Sequence, residues 1–435
     1  MKIALGETVS REIVSGAAIA LILKAVAFLS TFGLSLVVAR VLEVRDAGLV
    51  FLGIAIVTVL SSLSRFGLDK PIVRLVASLR EAGDSRSISA AVTYAIVLVG
   101  FAGLLCAGFV GAGSEWISRT VFSQPGLASV LVQMCVAIPC IAIAATISHG
   151  YQGQKALVRY LLLFSIAVPL FALGLIAFSG PGKNASDVSR LYMIAALVTA
   201  VIGALFWRAN PGFALSPIRA ITPALSATRS TFIVILSQMV NTWAAVLLLG
   251  SLADSDAVAI YHVANRTAIL ISFVLIAINS IAAPKFASLY HSRDSVALEK
   301  TACFSTRLMT VAALPMLFLF LLTPDWVLSW FGDDFTGGAN VLRVLAVGQF
   351  ISVSCGSVAN LLLMTGHEKD FRNVSVSATI LNLSLSFLAI AYWGAIGAAV
   401  ATMVALAFLN IASAVIVRRR LGFWSIGFLP SSRRR

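Results

Sequence analysis

Twelve apolar runs of 19 to 27 residues, each closed by a short polar or charged stretch, make up most of the chain: 13–39, 47–69, 88–112, 127–148, 157–179, 189–207, 231–252, 258–283, 304–323, 339–364, 374–392 and 395–417. A helix rises about 1.5 Å per residue and a bilayer core is about 30 Å thick, so about 20 such residues cross it. The pattern predicts an all-α integral membrane protein of about 12 transmembrane helices. The second run can continue past Pro71 as a helix lying along the cytoplasmic surface. The first run follows Lys2 and Arg11 but is too long for a secretory signal, and it is expected to be kept as a span.

Composition agrees with the pattern. Hydrophobic residues make up 59% of the chain, charged residues 11%, and the mean hydropathy is +0.98; a soluble domain carries roughly 25% charged residues. With 435 residues spread over twelve spans and short loops, no sizeable soluble domain is expected. Cys106, Cys135, Cys140, Cys303 and Cys355 all lie in or beside apolar runs, no pair has metal-ligand spacing, and packing is their expected role.

The net charge of +14 would point to nucleic acid in a soluble protein. Here it follows membrane topology. Numbering the loops alternately puts 22 basic residues on one side, among them Arg74, Arg80, Arg86, Arg219, Lys300 and the arginines at 418–420 and 433–435, against six on the other. Basic residues beside spans stay in the cytoplasm, so both termini are expected there.

The two halves resemble each other. A shift of 210 positions places Asp46-Ala47 on Asp256-Ala257, Ala77-Ser78-Leu79 on Ala287-Ser288-Leu289, Asp84 on Asp294, and Glu115-Trp116 on Asp325-Trp326. A shift of 213 then aligns Gly153 with Gly366 and Arg159 with Arg372. Six spans per half is an even number, which predicts two six-helix lobes in a parallel pseudo-twofold repeat, with substrate at the interface between repeats. The expected divisions are a first lobe over 1–207, a cytoplasmic linker over 208–230, a second lobe over 231–417 and a basic cytoplasmic tail over 418–435.

Charges inside the spans are the candidates for chemistry. Lys24 is the only charge in the 27-residue first run and stands near its middle. A charge there costs at least about 2.5–3.5 kcal/mol, so it is expected to face a water-filled cavity rather than lipid. Arg266 lies eight residues into the eighth run, beside Tyr261, His262 and Asn265, and calls for the same shelter. Arg65 and Asp69 are four apart, on one helix face, and can form an ion pair that is structural or that gates and couples transport. Asp69 is the only carboxylate at membrane depth. Lys70, before Pro71, marks the interface. His149 and His262 lie near span ends, where a histidine is either an ordinary hydrogen-bonding residue or a proton relay. Gln238 and Asn241 on the seventh run suit sugar hydroxyls or helix packing equally. Enzyme signatures are absent: no His-Glu pair has zinc spacing and no glycine-rich phosphate loop precedes Lys-Ser/Thr. Residues 394–399, Gly-Ala-Ile-Gly-Ala-Ala, have the outline of a dinucleotide turn but open a membrane span. No cofactor or metal is expected.

The stretch Ala259-Ile260-Tyr261-His262-Val263-Ala264-Asn265-Arg266 is similar to the entry to span eight of the oligosaccharide flippases, the polysaccharide-exporter branch of the multidrug/oligosaccharidyl-lipid/polysaccharide superfamily. Ala283-Pro284-Lys285-Phe286, Trp330-Phe331-Gly332, Thr365-Gly366-His367-Glu368-Lys369 and Gly394-Ala395-Ile396-Gly397 resemble later landmarks of that family, as Ala39-Arg40-Val41-Leu42 and Asp46-Ala47-Gly48 resemble its first hairpin. The resemblance covers about residues 13–420 and rests on the order and spacing of these stretches.

It implies two lobes around a central cavity in a bacterial inner membrane. The implied substrate is an oligosaccharide linked to a polyprenyl pyrophosphate of the undecaprenyl type, moved to the outer leaflet for O-antigen, capsule or exopolysaccharide synthesis. Lys24, Arg266, Arg65, Gln238, Asn241 and Tyr261 are then the substrate-binding candidates and Asp69 the coupling candidate. Membrane lipids and a polysaccharide polymerase are the implied partners, with proton and sodium coupling both open and no role for nucleic acid. Two alternatives stand beside it. An ion-coupled multidrug antiporter on the same fold would need buried acids that are scarce here, and a membrane glycosyltransferase or polymerase would need a large loop or a carboxylate site.

Overall fold

The computed structural model describes residues 2–180, 182–209, 212–214 and 228–426. Fourteen helices carry the argument. They are α1 Lys2–Val41, α2 Val44–Leu63, α3 Asp69–Glu81, α4 Ser85–Ala112, α5 Leu127–Met134, α6 Ala137–Gly153, α7 Leu157–Phe178, α8 Ala185–Ala209, α9 Thr228–Leu252, α10 Ser255–His291, α11 Ser295–Leu322, α12 Ala339–Cys355, α13 Val358–Met364 and α14 Glu368–Leu421. Among the described residues ten helical segments are long and apolar enough to cross a membrane, and the pair α5–α6, bent by 44°, makes an eleventh. The 54 residues of α14 are two helices joined at Gly394, whose φ of 52° and ψ of −128° break the helical path. Twelve spans result, as the hydropathy pattern predicts.

The spans are punctuated in ways that hydropathy does not register. α12 and α13 are separated at Gly356, where φ is 78°. α7 carries a π-helical turn over Leu162–Ile166, the kind of bulge that often sits at a functional site. The second run does not continue through Pro71 as one helix. It stops at Leu63, turns, and restarts as α3, an amphipathic helix that buries Ile72 and Val76 and exposes Lys70, Arg74 and Arg80.

By compactness the described residues fall into one unit within Ile22–Ala259 and another within Met1–Leu21 and Ile260–Arg435. The first unit centres on Ile72, Val76, Val92, Ile147, Tyr151 and Trp207, with the Tyr151 and Trp207 rings 5.2 Å apart and edge-on. Small residues let its helices approach. A Cβ at Gly103 would lie 2.8 Å from the Pro139 backbone, and one at Gly150 would lie 2.9 Å from the Trp207 ring. α9, expected with the second lobe, packs on α2, where Gly250 accepts the Leu52 side chain.

The second unit centres on Phe286, Leu298, Cys355, Leu362, Ala414 and Phe423. Here the expected tail is corrected in part. α14 runs through Arg418–Arg420 to Leu421, Gly422 turns the chain at φ 83°, and Phe423 and Ser425 are then buried. The Ser425 hydroxyl donates to the Cys355 carbonyl at 3.1 Å. Burial of Phe423 outweighs the solubility of the arginines beside it. Most of the linker expected over 208–230, including Arg219, and the arginines at 433–435 lie outside the described residues.

The repeat is written in the backbone. Asp84 and Asp294 cap α4 and α11 by accepting from Ser87 and Ala297, each at 2.9 Å. The Ala82, Gly83 and Asp84 amides bond to Ser78, Arg80 and Leu79, and those of Ser292, Arg293 and Asp294 bond to Ser288, Tyr290 and Leu289. Gly83 and Arg293 both take positive φ, 74° and 58°. Later the register is 211 rather than the 213 read from the sequence. Lys155 (φ 63°) matches Gly366 (φ 79°), and the Ala156 to Tyr151 hydrogen bond matches His367 to Leu362. Aligning glycine with glycine misled because a lysine holds the left-handed position in the first half.

Candidate functional site

The first unit holds a buried charged cluster at the end of α2. After Leu63 the chain makes a tight turn with Phe66 at φ 50° and Gly67 at φ 78°. A Cβ at Gly67 would lie 2.6 Å from the Phe232 backbone nitrogen of α9, so the turn admits glycine alone without strain. The turn carries Asp69, the first residue of α3, back to Arg65. The Arg65 Nε donates to Asp69 Oδ1 at 2.8 Å and Nη2 to Oδ2 at 3.2 Å, a two-point pairing. Nη1 reaches the Ser61 carbonyl at 3.4 Å, and Nη2 the Ser62 hydroxyl at 3.3 Å. The expected ion pair is present, but across a turn rather than on one continuous helix face. Arg65, a candidate for substrate, is 6% exposed and spends its donors on Asp69, Ser61 and Ser62.

α6 brings a third member. His149 Nε2 stands 3.6 Å from Asp69 Oδ1, and its Nδ1 is 3.1 Å from Gln152 Oε1. The ring packs among Tyr160 and Phe164, with centroids at 5.7 and 5.1 Å, the latter on the π-helical turn of α7. Gly153, one turn beyond His149 on the same face, makes the approach feasible: a Cβ there would meet the Val73 carbonyl of α3 at 2.8 Å. Sequence reasoning noted His149 as a residue near a span end and missed its partner, since nothing local ties α6 to α3.

Lys24 is exposed in the middle of α1 and makes no hydrogen bond or ion pair among the described residues. Ile19, Ile22, Val26 and Leu29 form an exposed apolar stripe on that helix, 44, 62, 37 and 62% accessible. At about 100° per residue, Lys24 lies roughly 200° from Ile22, on the opposite face. That face continues through Thr31 to Ser35 and Val38, which are 3 and 0% exposed. Lys24 thus shares the face that packs into the protein further along, away from the lipid stripe.

On α9, Gln238 and Thr242 are exposed one turn apart and Asn241 is half-buried beside them. These residues and Lys24 belong to the first unit. Arg266, in the second unit, is half-buried, one turn from buried His262. Tyr261 is placed differently from expectation. It is 2% exposed and its hydroxyl is 2.9 Å from the Thr402 hydroxyl, a helix-to-helix bond that ties α10 to α14. A cavity of 320 Å³ in the first unit, lined by Arg45, Gln124, Asp254 and Asp256, contains none of the sequence candidates. Among the described residues no three His, Cys, Asp or Glu side chains gather as metal ligands.

Twelve spans, a repeated half and charged side chains set into apolar helices define a multi-span membrane fold. Solved structures with this fold include a lipid II flippase MurJ in an inward closed conformation, 13% identical over 91% of this chain and 87% of that one with a TM-score of 0.72. An inward-facing multidrug resistance MATE family transporter of the MOP superfamily is 14% identical over 93% and 94%, with a TM-score of 0.71. A MOP superfamily transporter from Pyrococcus furiosus is 12% identical over 94% and 95%, with a TM-score of 0.62. No curated protein sequence matches the chain. The family model described as polysaccharide biosynthesis protein matches residues 13–290, and the chain belongs to that family; a second model, MatE, matches 230–388.

Proposed function

We propose that this chain is a flippase that carries a polyprenyl-pyrophosphate-linked oligosaccharide from the cytoplasmic to the outer leaflet of a bacterial inner membrane by alternating access. The observation that carries the reading is Lys24, an exposed ammonium at mid-helix on the face of α1 away from its lipid stripe. An ammonium is a compact donor to phosphate oxygens, and a pyrophosphate repays its exposure at membrane depth. Gln238 and Asn241 then offer amides to sugar hydroxyls, and Arg266, in the second unit, is a further cationic candidate for substrate. The excess of basic residues on alternate loops supports a cytoplasmic position for both termini. A polymerase that lengthens the delivered glycan is the expected partner.

The test is replacement of Lys24 in a cell whose surface glycan depends on this chain. Lys24→Ala should abolish the glycan with the protein still at normal level in the membrane, and Lys24→Arg should restore part of it. Normal glycan with Lys24→Ala at wild-type protein level overturns the reading.

A second reading, an ion-coupled multidrug antiporter, draws on the MatE match over 230–388. A cationic drug needs a carboxylate, and the candidate Asp69, which begins α3 beyond the end of the span at Leu63, is bound by Arg65 at two points. Drug resistance conferred without any change in surface glycan would favour this alternative.

A further inference from the structure

We propose that His149 and Asp69 form a buried proton-binding site in which one proton sits between His149 Nε2 and Asp69 Oδ1. The site's role in a transport cycle rests on the flippase reading; its existence rests on the geometry alone.

With the Gln152 amide oxygen turned to the ring as an acceptor at 3.1 Å, His149 Nδ1 is the donor, and the proposal assigns the hydrogen there. In a neutral ring this leaves Nε2 with a bare lone pair. That lone pair faces a carboxylate oxygen at 3.6 Å, and Nε2 is buried with no hydrogen-bond partner among the described residues. Two acceptors facing each other in a dry site repel. A proton between them turns the repulsion into a charge-assisted hydrogen bond and draws the groups closer.

Arg65 decides where the proton goes. It occupies both Asp69 carboxylate oxygens with hydrogen bonds, which leaves the bare His149 Nε2 as the atom that takes the proton. Uptake makes an imidazolium and release restores the neutral ring, so one charge changes per cycle. The groups facing His149 are Asp69 from α3, Arg65 from the turn after α2, Gln152 on its own helix and Tyr160 from α7. α4 and α8 bring uncharged Val92 and Trp207 to α6 at Gly150.

The repeat argues that these charges are not there to close the fold. At the register of 210, Arg65 corresponds to Leu275 and Asp69 to Asn279; at 211, His149 corresponds to Asn360. In that half α10 runs on from Ser255 to His291 without the turn. Asn279 is satisfied there by the Ser357 hydroxyl. The matching positions of that half hold the neutral amides of Asn279 and Asn360, and only the other half sets a histidine against a carboxylate there.

The test uses the full chain in liposomes without substrate. Replacing His262, His291 and His367 by Gln leaves His149 as the only histidine. ¹⁵N spectra of the labelled ring should show a Nδ1–H tautomer at high pH and a doubly protonated ring at low pH. Adding Asp69→Asn should displace that midpoint, since the opposing charge is gone. If this variant does not fold, the wild-type spectrum, read against a His149→Gln subtraction, serves the same purpose. A His149 ring that keeps one state from pH 5 to 8, or a midpoint unmoved by Asp69→Asn, overturns the proposal. Failure to move a lipid-linked oligosaccharide would instead count against the flippase reading and leave the titration result standing.

Discussion

Asp69 makes the buried Arg65 tolerable, and the two are best read as one unit. Arg65 and Asp69 side chains are 7 and 13% exposed. Removing one member leaves an uncompensated buried charge, which typically costs about 3–5 kcal/mol, whereas replacing both with apolar groups is often neutral. Asp69→Ala should therefore lower the thermal midpoint strongly in a detergent unfolding assay, and Arg65→Leu with Asp69→Leu should recover most of the loss. Additive losses would show that the pair is not the stabilising element. At this scale the sequence was informative where charge and spacing are local: Lys24 stands alone in an apolar run, and Arg65 and Asp69 are one turn apart. It was silent where partners are distant. His149 meets Asp69 through the packing of α6 on α3, and Tyr261 is claimed by Thr402, 141 positions away.

Helix boundaries follow hydropathy closely because membrane spans must satisfy their own backbone hydrogen bonds over a fixed thickness. Their interruptions do not, since each depends on one residue's conformation. The turn at Phe66–Gly67, the gap at Gly356 and the bend before α6 all fall inside or at the edge of runs that read as unbroken. The break at Gly394 was legible, because it separates two apolar runs of span length. Close approach is equally residue-specific. With a Cβ at Gly153 only 2.8 Å from the Val73 carbonyl, Gly153→Val must push α3 away from α6. The ring of His149 should then lose its dependence on Asp69, seen as a titration midpoint that no longer responds to Asp69→Asn. An unchanged response would show that α3 is held by other contacts. Gly67→Ala should also destabilise the protein, by about 1–2 kcal/mol from the left-handed backbone alone, before any clash with Phe232. A thermal midpoint unchanged by that substitution would contradict the strain assigned to the turn.

The whole molecule is two halves of one design that have diverged in charge. The shared offset of 210 was visible in polar landmarks such as Asp84 and Asp294 because helix caps tolerate few residue types. The later change of register was misread by two positions because the left-handed site is lysine in one half and glycine in the other. The ion pair and His149 occur in one half, while the other keeps Asn279 and Asn360 at the places of Asp69 and His149. The division into compact units was not legible, since it falls within α1 and α10 rather than in a polar linker. The proposed cargo is an anionic lipid-linked oligosaccharide. The most direct test is a flipping assay on the purified protein in proteoliposomes loaded with a polyprenyl-pyrophosphate oligosaccharide, scored by an impermeant glycan-cleaving enzyme. Transfer between leaflets should be fast and should be abolished by Lys24→Ala; no transfer by protein that expels a cationic dye from parallel liposomes under an imposed pH gradient overturns the flippase reading.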